Sequence, residues 1–306
     1  MYRGFPRTLI DTLRCPHDGG ALAVQDEGAF PAGHIVRATL RCALCDREYG
    51  IERGIVQLLD LVSLDPESSN ERTHRDEGAR DLDASWEMTP WNEMEILPTM
   101  DASAPLAGAC VLELGAGTGR HTVHMATRGA SIVAVDFSLG SLENLAARIQ
   151  PEWDIGLVHA DCTQFAARPD AFDLVASTLV SNLPTAQHRA AMMRVAAVAC
   201  KPSGKFVFGT HHFGIRSRLL REPRSGYYRE VPIYRYMFRR KEIEAETRAY
   251  FADVTCHPIR IAIPLAARLR LPVVKLSRLT ERVPLINEFG ELLLTTARHP
   301  NEVSGR

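Results

Sequence analysis

The chain has 306 residues, with 36 Lys and Arg against 37 Asp and Glu and a formal net charge of -1. Hydrophobic residues make up 45%, enough for a sizeable core in one large domain or two unequal ones. This balance excludes a globally basic nucleic-acid binder and leaves only a local basic patch open.

The N-terminal residues hold no long apolar stretch, so no signal peptide is expected. The most apolar late stretch, 259–276, is broken by Arg260, Arg268, Arg270 and Lys275, so no membrane span is expected either. Cys110, Cys162, Cys200 and Cys256 lie in strand-like or helix-like runs, where a free thiol is usually a small buried hydrophobe. A reducing, cytoplasmic location follows as the default expectation.

Residues 1–61 read as a small metal-binding module. Cys42 and Cys45 have the spacing of a metal knuckle, and Cys15 lies upstream. A structural zinc site takes four ligands. Asp18 stands where the second ligand of a C-x-x-C pair would fall, and His17, beside it, is chemically better suited to zinc, so both stay open. A module this small gains much stability from a metal. Residues 62–104 read as a polar, acidic linker with a helix near 92–100. It carries Trp86, Trp91, Glu93 and Glu95, and a helix there is placed to close a ligand site.

From 105 to 213 short apolar runs alternate with helical patterns. The runs are 109–114, 131–135, 155–159, 172–176 and 205–209, and the helices 119–129, 139–149 and 185–199. That alternation predicts an α/β fold, a mostly parallel sheet covered on both faces with right-handed crossovers. The first run feeds into Gly115, Gly117 and Gly119 and then a helix. Glycines there let the backbone turn sharply and approach a ligand, and the helix start adds free amides. Asp136 closes the second run, placed to accept hydrogen bonds from a ribose, and Asp161 follows the third.

The combination of Glu113, the glycine turn, Asp136 and Asp161 resembles the class I S-adenosylmethionine-dependent methyltransferases, of the UbiE-like, small-molecule type, over roughly 105–298. The resemblance implies a Rossmann-like sheet of seven strands, the last antiparallel, in a methyltransferase domain spanning 105–306. It implies that Glu113 organises the methionine amino end, that Gly115, Gly117 and Gly119 pack on the methionine part, and that Asp136 holds the ribose. Asp161 would receive the adenine amino group, with Cys162 and Phe137 beside the ring. The N-terminal stretch resembles the zinc-ribbon modules that precede some bacterial methyltransferases, with Cys15, Asp18, Cys42 and Cys45 as ligands; one of the four cysteines is missing, which leaves open zinc with a carboxylate or imidazole ligand, weakened zinc, or a ribbon that has lost its metal.

Methyl transfer asks the protein for in-line placement and, at oxygen, often a base. His211 and His212, ending the fifth run, are the base candidates, with capping of a buried strand end as the other reading. Ser181 and Asn182 follow the fourth run. The segment 214–236 reads as a substrate cap carrying Tyr227, Tyr228, Tyr234 and Tyr236 among arginines. The insertion 263–286 is divided by Pro264, Pro272 and Pro284 into short helical pieces. It reads as an extra helical layer, or as a pocket wall, a homodimer contact or a membrane-surface contact. The expected substrate is a small aromatic or hydrophobic metabolite. The alternatives are an rRNA or tRNA base methyltransferase and a non-catalytic cofactor-binding scaffold; NAD-dependent dehydrogenase chemistry is disfavoured by the glycine spacing.

Overall fold

The computed structural model describes residues 2–26, 33–61, 64–78, 88–178, 182–228, 231–263, 266 and 268–301. The N-terminal part comprises β1 (Phe5–Pro6), α1 (Arg7–Ile10), β2 (Leu22–Gln25), β3 (His34–Ile35), β4 (Ala38–Cys42), β5 (Glu48–Glu52) and β6 (Ile55–Gln57). Two helices follow, α2 (Pro66–Gly78) and α3 (Pro90–Ser103). The next stretch alternates, with β7 (Cys110–Leu114), α4 (Arg120–Ala126), β8 (Ser131–Asp136), α5 (Leu139–Arg148), β9 (Ile155–His159), β10 (Phe172–Ser177), α6 (Ala186–Ala199) and β11 (Cys200–His212). The C-terminal part holds α7 (Ile215–Leu219), β12 (Ser225–Tyr227), β13 (Tyr234–Phe238), α8 (Arg240–Arg248), β14 (Phe251–Ile259), α9 (Val273–Thr280), a single-turn helix (Asn287–Phe289) and β15 (Leu292–Pro300).

The central strands lie in the order β9-β8-β7-β10-β11-β15-β14. All are parallel except β15, which runs antiparallel to both β11 and β14. This is the Rossmann-like class I methyltransferase sheet, with its last strand reversed as expected. The runs are predominantly apolar, without a strict polar alternation, because both faces are buried. Leu112, Val133, Val175 and Phe206 pack on one side with Met192 and Ala196 of α6. Val111, Ile132, Leu174 and Val207 pack on the other with Ile96 and Met100 of α3 and Leu142 and Leu145 of α5. Strand order reverses at β7, which lies between β8 and β10, and ligands of open α/β sheets bind outside the strand ends at such a point.

The N-terminal strands extend this sheet. β6 runs parallel to β9, pairing Ile55 with Leu157 and Gln57 with His159, and β5, β4 and β2 continue outward. Phe5 seals the junction: a Cβ on Gly156 of β9 would stand 2.6 Å from its ring. The stretch read as a linker holds α2 as well as the expected helix, and the 214–236 segment contains a short hairpin, β12 with β13. In the insertion, α9 starts after Pro272 and packs on α3, where Arg278 and Asp101 form a 2.5 Å ion pair. No helix among the described residues is long and apolar enough to cross a membrane.

Candidate functional site

At the carboxyl ends of β7, β8, β9 and β10 lies a cavity of about 300 Å³. Gly115 and Gly117 of the turn, Asp136 and Phe137 after β8, and Asp161 and Cys162 after β9 all line it, joined by Asn182. Gly115 and Gly117 have φ of +75° and +55°, and a Cβ on either would meet no protein atom within 4 Å. A side chain at Gly117 would therefore be strained and would project into space a ligand needs. Asp136 is held by two backbone amides, Gly117 N–H at 2.7 Å and Ser138 N–H at 2.9 Å. Burial raises its carboxyl, and those amides together with Arg75 pull it back. Asp161 Oδ1 accepts from Thr163 N–H (2.8 Å) and its hydroxyl (2.9 Å), which fixes the carboxylate at the cavity wall.

Two cofactor candidates sit behind this wall. Gly119 packs rather than lines: a Cβ there would come within 2.3 Å of Leu145 Cδ1, so its absence lets α4 start against α5. Glu113 is buried and accepts from the Thr122 hydroxyl at 2.5 Å; burial pushes its carboxyl up to about 8.

Several lining residues were not read from the sequence. Helix α2 contributes Ser68, Glu71 and Arg75. Glu71 and Arg75 form a 2.6 Å ion pair one helical turn apart. Asp76 clips α2 to the start of α5, accepting from the Ser138 hydroxyl at 2.7 Å and Gly140 N–H at 3.1 Å. Arg120 and His121, directly after the glycine turn, also line the cavity. Arg120 is bonded to Glu95 (2.7 Å), and Glu95 also holds Arg260 (3.1 Å), whose guanidinium stacks 4.5 Å from the Trp91 ring. The α3 residues Trp91 and Glu95 thus brace the cavity through arginines. His121 is almost fully buried; its Nε2 has no hydrogen-bond partner among the described residues, and Glu95 Oε1 stands 4.0 Å away. Its position directly after the glycines was the available signal.

The two histidines part company, as neighbours on a strand do. His211 Nε2 lies 2.6 Å from the Tyr228 hydroxyl. Burial, then Arg235 and Arg260, hold its pKa down to about 3. His212 is fully buried, with Nδ1 2.8 Å from the Gly290 carbonyl and Nε2 3.6 Å from Glu288. That is a strand-end cap, and neither His211 nor His212, nor Tyr228, is among the residues lining the cavity. Asn182 donates to the Tyr234 carbonyl at 2.8 Å, tying the cavity wall to the cap hairpin. Tyr227 is exposed and bonded to Glu67 of α2 at 3.1 Å. Tyr236 donates to Glu242 at 2.7 Å and packs under Arg189 and Arg224, so it belongs to a network on α6 and α8 rather than to the cavity. Ser181 and Trp86 lie outside the described residues.

In the N-terminal part, single ligand atoms of Cys15, Asp18, Cys42 and Cys45 lie within 4.8 Å of one another. Cys15 Sγ and Cys45 Sγ are 3.7 Å apart, close to the ~3.8 Å edge of a tetrahedron with Zn–S of about 2.3 Å. Asp18 Oδ1, oriented by Gly20 N–H at 2.9 Å, lies 3.3 Å from Cys42 Sγ. Three thiols and a carboxylate fit a structural zinc ion, and exposed His17 is not among the converging groups.

Residues 111–204 match the family model of a methyltransferase domain. A demethylmenaquinone methyltransferase of Clavibacter sepedonicus is 43% identical over 77 residues, 25% of this chain and 31% of that protein. A ubiquinone biosynthesis O-methyltransferase of Ralstonia nicotianae is 30% identical over 146 residues, 45% of this chain and 59% of that protein. The matches thus span about a third to three fifths of these relatives' lengths. The fold recurs in a chain from the complex of the Haloferax volcanii Trm112 methyltransferase activator with a methyltransferase (TM-score 0.54, 18% identity, 76% of this chain and 98% of that one). It recurs too in the CcbJ methyltransferase of Streptomyces caelestis (TM-score 0.53, 15% identity, 75% and 99%). Residues 111–204 thus carry a methyltransferase domain, set in a Rossmann-like sheet of the class I methyltransferase fold. Within that class it is similar to the demethylmenaquinone methyltransferases.

Proposed function

We propose that this protein transfers the methyl group of S-adenosylmethionine to a small aromatic acceptor of the quinone or quinol type. The observation that carries the reading is the convergence of the glycine turn, Asp136 and Asp161 on one cavity whose far wall, Asn182, joins the Tyr228 hairpin. The relatives' names point to quinone-class acceptors.

The cavity fits the cofactor. Asp136 keeps acceptor capacity for ribose hydroxyls, Asp161 lines the cavity together with Phe137 and Cys162 for the adenine, and His121 offers a ring nitrogen with no hydrogen-bond partner among the described residues. When bound, the cofactor supplies an already activated methyl group, so the protein's work is placement. A histidine held near 3 is a poor base at neutral pH. His211 therefore orients the Tyr228 hydroxyl, and this pair, set behind the cavity lining on the hairpin tied to Asn182, is the positioning element for the acceptor. A structural zinc ion on Cys15, Asp18, Cys42 and Cys45 would pin the N-terminal strands.

The reading is tested by calorimetry with S-adenosylmethionine, followed by methyl-transfer assays with a soluble short-tailed quinol and with RNA. Binding followed by transfer to the quinol supports it. Transfer to RNA alone would move the assignment to a base methyltransferase, and binding without any transfer to a scaffold.

A further inference from the structure

The 268–289 stretch leaves large aliphatic side chains in solvent. Leu269 is 64% exposed, Leu279 60%, Leu285 77% and Ile286 44%, with Phe289 at 39%. Helix α7 packs against the single-turn helix at 287–289 and adds Leu219 and Leu220, 71% and 58% exposed. Scattered exposed leucines are ordinary, but a cluster on adjoining elements marks an interaction surface.

The charge on this stretch is one-sided. It holds five basic residues and two acidic ones, in a chain whose totals are balanced. Both acids are turned inward. Glu281 accepts from Arg260 N–H at 3.1 Å and from the Ser277 hydroxyl, and Glu288 faces buried His212. Arg278 is paired with Asp101. Arg268, Arg270, Lys275 and Arg282 remain exposed among the leucines.

We propose that the 268–289 stretch and the end of α7 dock the protein on an anionic lipid surface. Aliphatic tips interleaved with cations are what such a surface takes, the tips entering the acyl boundary and the cations meeting lipid phosphates. The contact proposed is interfacial; no helix among the described residues is long and apolar enough to cross a bilayer. The patch is linked to the cavity. Glu281 binds the Arg260 backbone, Arg260 binds Glu95, and Glu95 binds Arg120 in the cavity wall. An acceptor with an apolar tail would reach the site from lipid beside it. That last step rests on the quinone reading; the docking itself does not.

The test is flotation of the full chain with vesicles of phosphatidylcholine, with and without phosphatidylglycerol. The chain is expected to float at least about tenfold more with the phosphatidylglycerol vesicles, and less as salt rises. Leu279→Ser with Leu285→Ser, both at exposed positions, should lower that recovery about tenfold and leave calorimetric affinity for S-adenosylmethionine unchanged. Arg270→Glu with Arg282→Glu should act in the same direction at low salt. Recovery in the unbound fraction with both vesicle types would overturn the proposal. So would a dimer in light scattering that the leucine pair abolishes without any vesicle binding. Methylation of a soluble quinol by a chain that ignores vesicles would sink the docking and keep the proposed activity.

Discussion

The Tyr228 hydroxyl sits 2.6 Å from His211 Nε2, while His212, the next residue, bonds the Gly290 carbonyl instead. Tyr228→Phe and His211→Asn should each lower turnover by roughly tenfold to a hundredfold, the range of a lost positioning or proton-transfer contact. Affinity for S-adenosylmethionine should stay the same in both. His212→Ala should cost about 1–3 kcal/mol of stability instead, because a buried carbonyl loses its donor. Thermal melts and steady-state rates on the three variants check this; a catalytic loss confined to His212→Ala would reverse the assignment.

The glycines of the turn should separate in the same manner. Gly117→Val places a β-branched side chain at φ +55° in the cavity and should weaken cofactor binding at least about tenfold. Gly119→Ala meets Leu145 at φ +89° and should destabilise the fold by about 1–3 kcal/mol. Calorimetry and denaturant titration distinguish the two. Unchanged affinity in Gly117→Val would place the cofactor elsewhere.

The metal cluster is expected to hold one zinc per chain, measured by elemental analysis of untagged protein. Cys42→Ser should release it. The effect should then spread, because β6 pairs with β9 and His159 bridges Gln57 Oε1 (2.7 Å) to the Phe137 carbonyl (3.1 Å). Hydrogen exchange should speed up in 155–159 as well as in 38–57. Exchange confined to the N-terminal strands would mean the shared edge transmits nothing.

The parallel core was legible because strands buried on both faces read as apolar runs, unbroken in 132–135 and interrupted only by Glu113 in 111–114. Helix α2 was not, since its sequence has no apolar face and what it buries is the Glu71 carboxylate paired with Arg75. The join of β6 to β9 was equally silent, because parallel edge pairing is backbone chemistry that Ile55 and Val56 do not advertise. Among the tyrosines of the cap, Tyr236 looked like Tyr228. Its partner, Glu242, lies on the following helix, and a sequence pattern does not show such a contact.

Glu113 makes stability depend on pH. Burial beneath the glycine turn, helped by the nearby Asp136 charge, pushes its folded carboxyl up to about 8 from the ordinary 4.5, against the hydrogen bond donated by the Thr122 hydroxyl. The unfolded chain gives up that proton in the ordinary carboxylate range, while the folded chain keeps it. This contribution is therefore complete below about 4.5, is lost as pH rises toward 8, and changes no further above that. At about 1.4 kcal/mol per pKa unit the effect amounts to a few kcal/mol. Glu113→Gln keeps the shape and removes the titration. Buried His121, held down to about 3, acts in the opposite sense at low pH and is common to both proteins. The comparison of wild type with Glu113→Gln thus isolates Glu113. Urea midpoints at about pH 5, 7 and 9 should show the variant gaining on the wild type as pH rises. Parallel profiles would mean that Glu113 ionises in the fold at its ordinary pH, with a cation near it that the present geometry does not contain.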